Sequence, residues 1–515
     1  MKKLLFLISI VAFTSCKKSY LESPSLGSLA AENFWKTESD ALLGIHAIYD
    51  ALQDRIQYSG NLNGFAAAGF PMYDCFGDNV FNATGWLFVG PGNYMLGNVD
   101  PNYQLFQTLW GSLYRGIGRA NLAIENIQKM PETAITAQKK NQLLAQAYFL
   151  RGLFYSHIAV YYVEAPLVLK VQTLEEALVP KNSYQEISDQ VVKDLKFAAD
   201  NLPVSYPAAQ YGYATKGAAL GILARFYLYN KDYQGVLDAT STLLTLGYSL
   251  NGNYAQLFTE AGESSKEIIF AVRFNQDVSS NNELFSATFL TIPRVESAPM
   301  KNLVNEYYCT DGKPITTSPL YNPVSPGLNR DPRCGATIYF PGDIFLTDLN
   351  RAFTGNTATK FGQRKYVRRA ASSTGIAVSS PGGQDFIVLR YADVLLMRAE
   401  AFLETNQLLN VYPLINQVRA RVSMPSIESV EGSGLSQTAL RAIVRRERRV
   451  ELAIEGLRFF DLKRWGTMQA AFQAVVADAV PGYAPTYRGL KSETFPIPVT
   501  ELNVNNKLVQ NTPWQ

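Results

Sequence analysis

The segment 142–163 (QLLAQAYFLRGLFYSHIAVYYV) has no proline, a single glycine, and apolar side chains on nearly every face. Such a stretch is stable only as a helix enclosed by other helices, so it commits the chain to a many-helix scaffold. Its neighbours fit that scaffold. Segment 182–202 puts Ile187, Val191, Leu195 and Ala198 at helical spacing behind Ser183-x-x-Glu186, a pattern that caps a helix start, and Pro203 stops it. Segments 214–229 and 233–246 flank the polar turn Asn230-Lys231-Asp232 and predict a helical hairpin, and the same plan recurs in 391–404 and 408–422. Superposing Leu150-Arg151, Ala224-Arg225 and Met397-Arg398 aligns three helices with small or apolar residues at matching offsets, the degenerate self-similarity of a tetratricopeptide-like array. The fold class expected is mostly α, a helical-repeat scaffold with long loops and a few short strands.

The loops have their own composition. Residues 251–390 are dense in Gly, Ser, Asn, Thr and Pro, with short β-like runs at 268–272 and 386–389, and residues 60–104 are rich in Gly, Asn and aromatics. Long loops in a compact protein usually carry function. We therefore divide the chain into a leader, 1–15, an N-terminal region, 16–250, and a C-terminal region, 251–515. The last comprises the loop-rich 251–390, a helical 391–470 and a tail, 471–515. Length alone allows two to four domains.

The leader reads Met-Lys2-Lys3, an apolar run from 4 to 13, then Thr14-Ser15-Cys16. About ten apolar residues are half of the roughly 20 a membrane-spanning helix needs, so an export signal removed on processing is expected. Phe13 sits where an ordinary cleavage site wants a small residue, which favours lipidation of Cys16. Several acyl chains on one cysteine make a stable anchor, because each buried methylene contributes about 0.8 kcal/mol. Loss of Lys2 and Lys3 takes the formal charge from +3 to +1, which selects no nucleic acid or other polyanion. Cys75, Cys309 and Cys334 remain; a Cys309–Cys334 bridge is open, buried thiols being the better reading.

Two histidines, His46 and His157, stand far apart with no metal-ligand cluster beside them, so neither a metal site nor a cofactor is expected, and His157 reads as a packed side chain. The basic segment 445–464 alternates with acids. Arg448 with Glu451, Glu455 with Arg458 and Asp461 with Arg464 form i, i+3 pairs beside an inward stripe of Val450, Ala453, Ile454, Leu457 and Phe460. We read it as a structural, salt-bridged helix. Glu447, Glu451 and Glu455 look like glycoside-hydrolysis carboxylates, but arginines crowding them favour their charged forms, which is wrong for a general acid. No enzyme is expected.

The blocks RYADVLLMRAEAFLETNQ, LINQVRARV, RRERRVELAIEGLRFFDLKRWG and FPIPVTELNVNNKLVQNTPWQ, in that order and spacing, closely resemble the SusD/RagB family of Bacteroidetes outer-membrane lipoproteins. LLAQAYFLRGLFYSHIAVYYVEAPLVL and ATKGAALGILARFYLYNKDYQGVLDAT resemble that family's helical repeats, and Cys-Lys-Lys-Ser-Tyr-Leu-Glu its lipidated start. The resemblance implies a non-catalytic lid on a SusC-like TonB-dependent barrel transporter. Such a lid captures oligosaccharides, or sometimes peptides and other nutrients, at the outer membrane. A helical-repeat adaptor for another protein is the alternative. Lys17 and Lys18 depart from the acidic residues that follow the cysteine in many surface-exposed members, leaving a periplasmic face open beside the expected cell exterior. Carbohydrate sites want aromatic faces and amide, carboxylate or guanidinium partners for hydroxyls. The ligand contacts expected on the N-terminal loop are Tyr73, Asp78, Asn79, Trp86, Phe88 and Tyr94.

Overall fold

The computed structural model describes residues 34–60, 69–82, 91–278, 281–288, 297–346, 350–356, 358–367 and 382–515. Cys16, Trp86 and Phe88 lie outside these residues. Within them several helices begin where a short polar side chain takes up a free backbone N–H. Helix α1 (Glu38–Leu52) starts in a capping box at Thr37. It is followed by α2 (Gln104–Lys129) and by α3 (Ala137–Tyr162), the latter capped by Thr136. Helix α4 (Tyr184–Asn201) has the predicted Ser183–Glu186 capping box. Helices α5 (Lys216–Tyr229) and α6 (Tyr233–Leu243) are capped by Thr215 and Asp232, so the hairpin forms with ends trimmed by a few residues.

Each helix packs on its sequence neighbour from α1 to α6, giving the tetratricopeptide-like layering expected. The chain then leaves the array and re-enters it with α7 (Tyr391–Glu404), which packs against α5 and α6 as if no excursion had intervened. Two β-like runs close the detour. Strand β2 (Ile268–Val272) pairs antiparallel with β4 (Phe386–Arg390), Val272 opposite Phe386 and Ile268 opposite Arg390. Between them in sequence, β3 (Ala298–Pro299) reaches back to β1 (Val80–Phe81). Helix α8 (Val411–Ala420) follows a 3₁₀ turn, Leu408–Asn410, so the second predicted hairpin helix is split. One apolar core runs from Ala41 to Trp514 through both regions of the chain.

The aligned arginines of the array each reach a neighbouring helix or strand. Arg151 makes a two-pronged contact with Asp194 at 2.7 and 2.8 Å, Arg225 bonds Asp393 and the Val388 carbonyl, and Arg398 donates to the Leu237 carbonyl and Thr240 Oγ1.

Segment 445–464 differs from the helix expected. It forms two, α9 (Gln437–Leu452) and α10 (Arg458–Trp465), broken where Ile454 and Gly456 take positive φ. The cause is tertiary. The 3₁₀ turn Phe70–Phe76 docks in the break, its Asp74 carboxylate accepting from the Ile454 N–H at 2.5 Å, and a Cβ on Gly456 would lie 2.4 Å from the Phe70 carbonyl oxygen. Of the three i, i+3 pairs only Asp461–Arg464 forms. Arg448 instead binds Asp393 and Asp461, and Glu451 binds Arg333, Arg390 and Arg421. Glu455 binds Lys365 and Arg390, and Arg458 binds Asp78. All of these carboxylates and Arg448 are buried.

Asp393 sits between two guanidiniums, Arg448 and Arg225. Burial alone would raise its pKa, but both arginines hold its carboxyl below the ordinary 3.8. A depressed folded-state pKa contributes stability above the unfolded value that is lost as pH falls. We predict that Asp393→Ala lowers the urea-unfolding free energy by about 3–5 kcal/mol, the cost of stranding buried charge. Its stability should also fall less steeply than the parent's as pH drops below about 4.

Candidate ligand site

The loop candidates that fall within the described residues are enclosed. Tyr73 and Tyr94 are 1 % and 0 % exposed. Tyr73 packs on Phe70, Phe76 and Tyr161, and Tyr94 on Phe76, Phe106 and Phe495, with its hydroxyl donating to the Lys491 carbonyl at 3.3 Å. Asp78 is gripped by both prongs of Arg458 at 2.7 and 3.0 Å, and Asn79 joins Asp74 to Arg449. These four side chains hold the N-terminal turn onto α9 and α10, and the two tyrosines present no ring face for a sugar. A short Pro- and aromatic-containing turn reads alike whether its rings point out or in, and here α10 and the tail cover them.

The remaining expectations concern buried groups. His157 is packed against Phe70 beside Tyr58, and burial pushes its pKa down to about 3. Cys309 and Cys334 are free and buried, and Cys75 is buried. Burial would raise the pKa of Glu451, but Arg421, Arg390 and Arg333 hold it well below the carboxylate range, and Arg390 and Lys365 depress Glu455.

Exposed aromatic surface lies elsewhere, on the link between α4 and α5. Pro203 and Pro207 prevent this stretch from continuing either helix, and it closes on itself through a hydrogen bond from the Lys216 N–H to the Pro203 carbonyl at 2.8 Å. Gln146 of α3 pins it, donating to Tyr206 Oη at 2.7 Å and the Ala214 carbonyl at 2.8 Å, while the Ala214 N–H donates to Tyr49 Oη of α1. Gly212, at φ +108°, lets Arg273 of the chain after β2 pass close by. Three tyrosines are thereby fixed. Tyr213 stacks on His46 with centroids 5.7 Å apart, Tyr206 leans on Tyr213, and Tyr211 lies under the Arg273 guanidinium at 4.5 Å.

Two cavities flank this link. One, about 440 Å³, is bounded by His46, Tyr49, Gln53, Tyr213, Arg273 and Asn281. The other, about 330 Å³, is bounded by Tyr206, Tyr211, Thr215, Tyr248 and Lys266. Ring faces beside amide, carboxylate and guanidinium groups are the chemistry that binds a hydroxylated ring, the apolar face stacking and the hydroxyls bonding the polar groups. Gln53 donates to the Arg273 carbonyl at 2.6 Å, tying the cavity to the end of α1. The surroundings carry several loop feet: the Leu284 N–H bonds the Ser59 carbonyl, and Glu283 pairs with Gly382. The sequence carries one signal for this surface, three tyrosines within 206–213 of a Pro- and Gly-containing link.

Behind Arg273 stand two carboxyls. Asp385 is 3.2 Å from Arg273 Nε, and its N–H donates to Glu263 Oε1 at 2.8 Å. Burial, then mutual repulsion with Asp385, pushes Glu263 up to about 7; burial pushes Asp385 up to about 6. An acid whose folded pKa is raised stabilises the fold below its unfolded pKa and loses that stability as pH rises through the folded value. The melting temperature should therefore fall as pH rises from about 4.5 through 7, and Glu263→Gln should flatten that fall in thermal unfolding followed across pH.

The described chain is thus a helical-repeat scaffold that carries an aromatic and polar surface on its loops. Comparison with known proteins gives that class a family. Residues 266–514 match the model of the SusD family, and residues 93–228 match a second model described as "Starch-binding associating with outer membrane". The chain is 28 % identical to SusD-like protein P38 of Formosa agariphila over 99 % of its length and 98 % of that protein's. It is 27 % identical to SusD-like protein P25 of the same organism over 99 % and 97 %. A SusD-like structure from Bacteroides fragilis NCTC 9343 superposes with a TM-score of 0.79 at 28 % identity, covering 92 % of this chain and all of the other. A SusD superfamily structure from Bacteroides vulgatus ATCC 8482 gives 0.76 at 21 % over 93 % of this chain. The chain belongs to the SusD family.

Proposed function

We propose that this protein captures oligosaccharide at the outer membrane and passes it, chemically unchanged, to a SusC-like TonB-dependent barrel transporter. The observation that carries the reading is family membership along most of the chain, since one superposing relative, at 28 % identity, is a SusD-like carbohydrate-binding protein. The tyrosine link supports it chemically, with stacked rings beside Gln53, Arg273 and Asn281. Tyr211 and Tyr213 are the ring contacts in this reading, and Trp86 and Phe88 of the N-terminal loop are further ones. The paired, charge-stabilised glutamates of α9 and the following turn support capture rather than hydrolysis. Cys16 carries the lipid, with the chain facing the cell exterior.

Calorimetric titration of the chain with plant, host and microbial oligosaccharides tests this. Saturable binding is expected, weakened by about 1–3 kcal/mol in Tyr211→Ala or Trp86→Ala, the scale of a lost aromatic contact. Silence across the panel overturns the glycan assignment in favour of peptides or a protein partner. Cys16→Ser should move the chain from the membrane to the soluble fraction on cell fractionation; retention in the membrane overturns the lipid anchor.

A further inference from the structure

A third, larger cavity lies on another part of the molecule, between α9, α10 and α11 (Met468–Ala477), with a volume of about 580 Å³. Its floor is apolar, built from Leu435, Ala439, Ala442, Ile443 and Ala470, and its walls are cationic. Four arginines, 445, 446, 449 and 458, face three carboxylates, Asp78, Glu306 and Glu431. Arg449 and Arg458 are engaged by Asp78, and Arg449 also approaches Glu306 at 3.4 Å. The other two are held differently. The Arg446 guanidinium lies 3.8 Å above the Tyr308 ring, and its nearest carboxylate, Glu431, stands 4.0 Å away. The Arg445 guanidinium lies 4.8 Å above Trp465, and its Nε is buried with no hydrogen-bond partner among the described residues. The carboxylates nearest in charge to Arg445, Glu400 and Glu404, are occupied by Arg464 and Arg441. Thr467 Oγ1, on the same wall, is likewise buried and unpartnered.

A guanidinium held over an aromatic ring keeps N–H groups beyond the ring edge that can take a planar carboxylate. Two such stacks over an apolar floor suit a ligand that joins a carboxylate to a small ring with an apolar face. We propose that this cavity is an anion-selective site, separate from the tyrosine link, that binds a carboxylate-bearing saccharide of the uronate type through Arg445 and Arg446. The saccharide part of the assignment rests on the glycan reading above; the carboxylate part rests on the cavity alone.

The test is calorimetric titration of the full chain with D-glucuronate, oligomeric uronates, glucose and inorganic sulfate. Glucuronate should bind saturably and glucose should not bind at this cavity. Arg445→Gln should weaken glucuronate about tenfold or more, the effect of one charge-assisted contact. Ala470→Trp, which fills the cavity and leaves the guanidiniums in place, should do the same, so the test stands even if Arg445→Gln folds poorly. Sulfate, tetrahedral rather than planar, should bind at least about tenfold more weakly than glucuronate. Glucuronate binding unchanged in both variants, or no tighter than glucose, overturns the proposal; sulfate binding as tightly overturns the carboxylate assignment. Tyr211→Ala separates the two sites. Loss of neutral-glycan binding there with glucuronate retained supports both, whereas loss of glucuronate in Tyr211→Ala alone leaves the glycan reading standing and removes this one.

Discussion

The fold depends on a charge network sealed inside it. Arg390, at the end of β4, donates to Glu267 at 2.9 Å, to Glu451 at 2.6 Å and to both oxygens of Glu455 at 2.7 and 2.8 Å. Arg333 reaches Glu447 and Glu451 from a short helix, Pro332–Thr337, and Lys365 reaches Glu455. Charges this deep are tolerated only when each finds its partner, and removing one strands the others. The partners come from β2, β4, α9 and the loop-rich 300s, so the network forms only when the excursion between α6 and α7 has returned. It couples the least regular part of the chain to the helical array.

That coupling explains how 391–404 can continue a stack interrupted at residue 243. Tyr391 begins α7 directly after Arg390, and the Tyr391 N–H bonds the Glu267 carbonyl. The β2–β4 ladder therefore acts as a clasp: it fixes where the detour starts and ends. Gly221 of α5 is part of the same fit, since a Cβ there would lie 2.2 Å from Leu389 of β4. The links and turns carried by this frame, including the tyrosine link between α4 and α5, gain their rigidity from it. Tyr49 and Gln146, on two different helices, hold that link in place.

The helices were legible because their signals are local. Ser183 and Glu186, three residues apart, form the capping box their spacing predicts, and the all-round apolar 142–163 is the enclosed α3. The runs 268–272 and 386–389 were legible as strands, though not as partners of each other, because pairing across more than a hundred residues leaves no local trace. The candidate site was legible in kind and not in place. Tyr73 and Tyr94 have the composition of contact residues, yet Tyr161, Phe459 and Phe495, remote in sequence, close over that region.

By itself the sequence determined which segments are helical, that they stack as repeats, and, through the blocks from 390 to 515, the family to which the chain belongs. It could do so because capping, periodicity and block order are properties of contiguous residues. Only the tertiary structure decided which charges pair. Glu451 stands three residues from Arg448 but binds Arg333, Arg390 and Arg421, because α9 turns both residues inward toward different neighbours. It also decided which aromatic rings stay accessible, since exposure depends on what packs above a ring, and for Tyr73 and Tyr211 that is settled by Tyr161 of α3, 88 residues on, in one case and by an open link in the other.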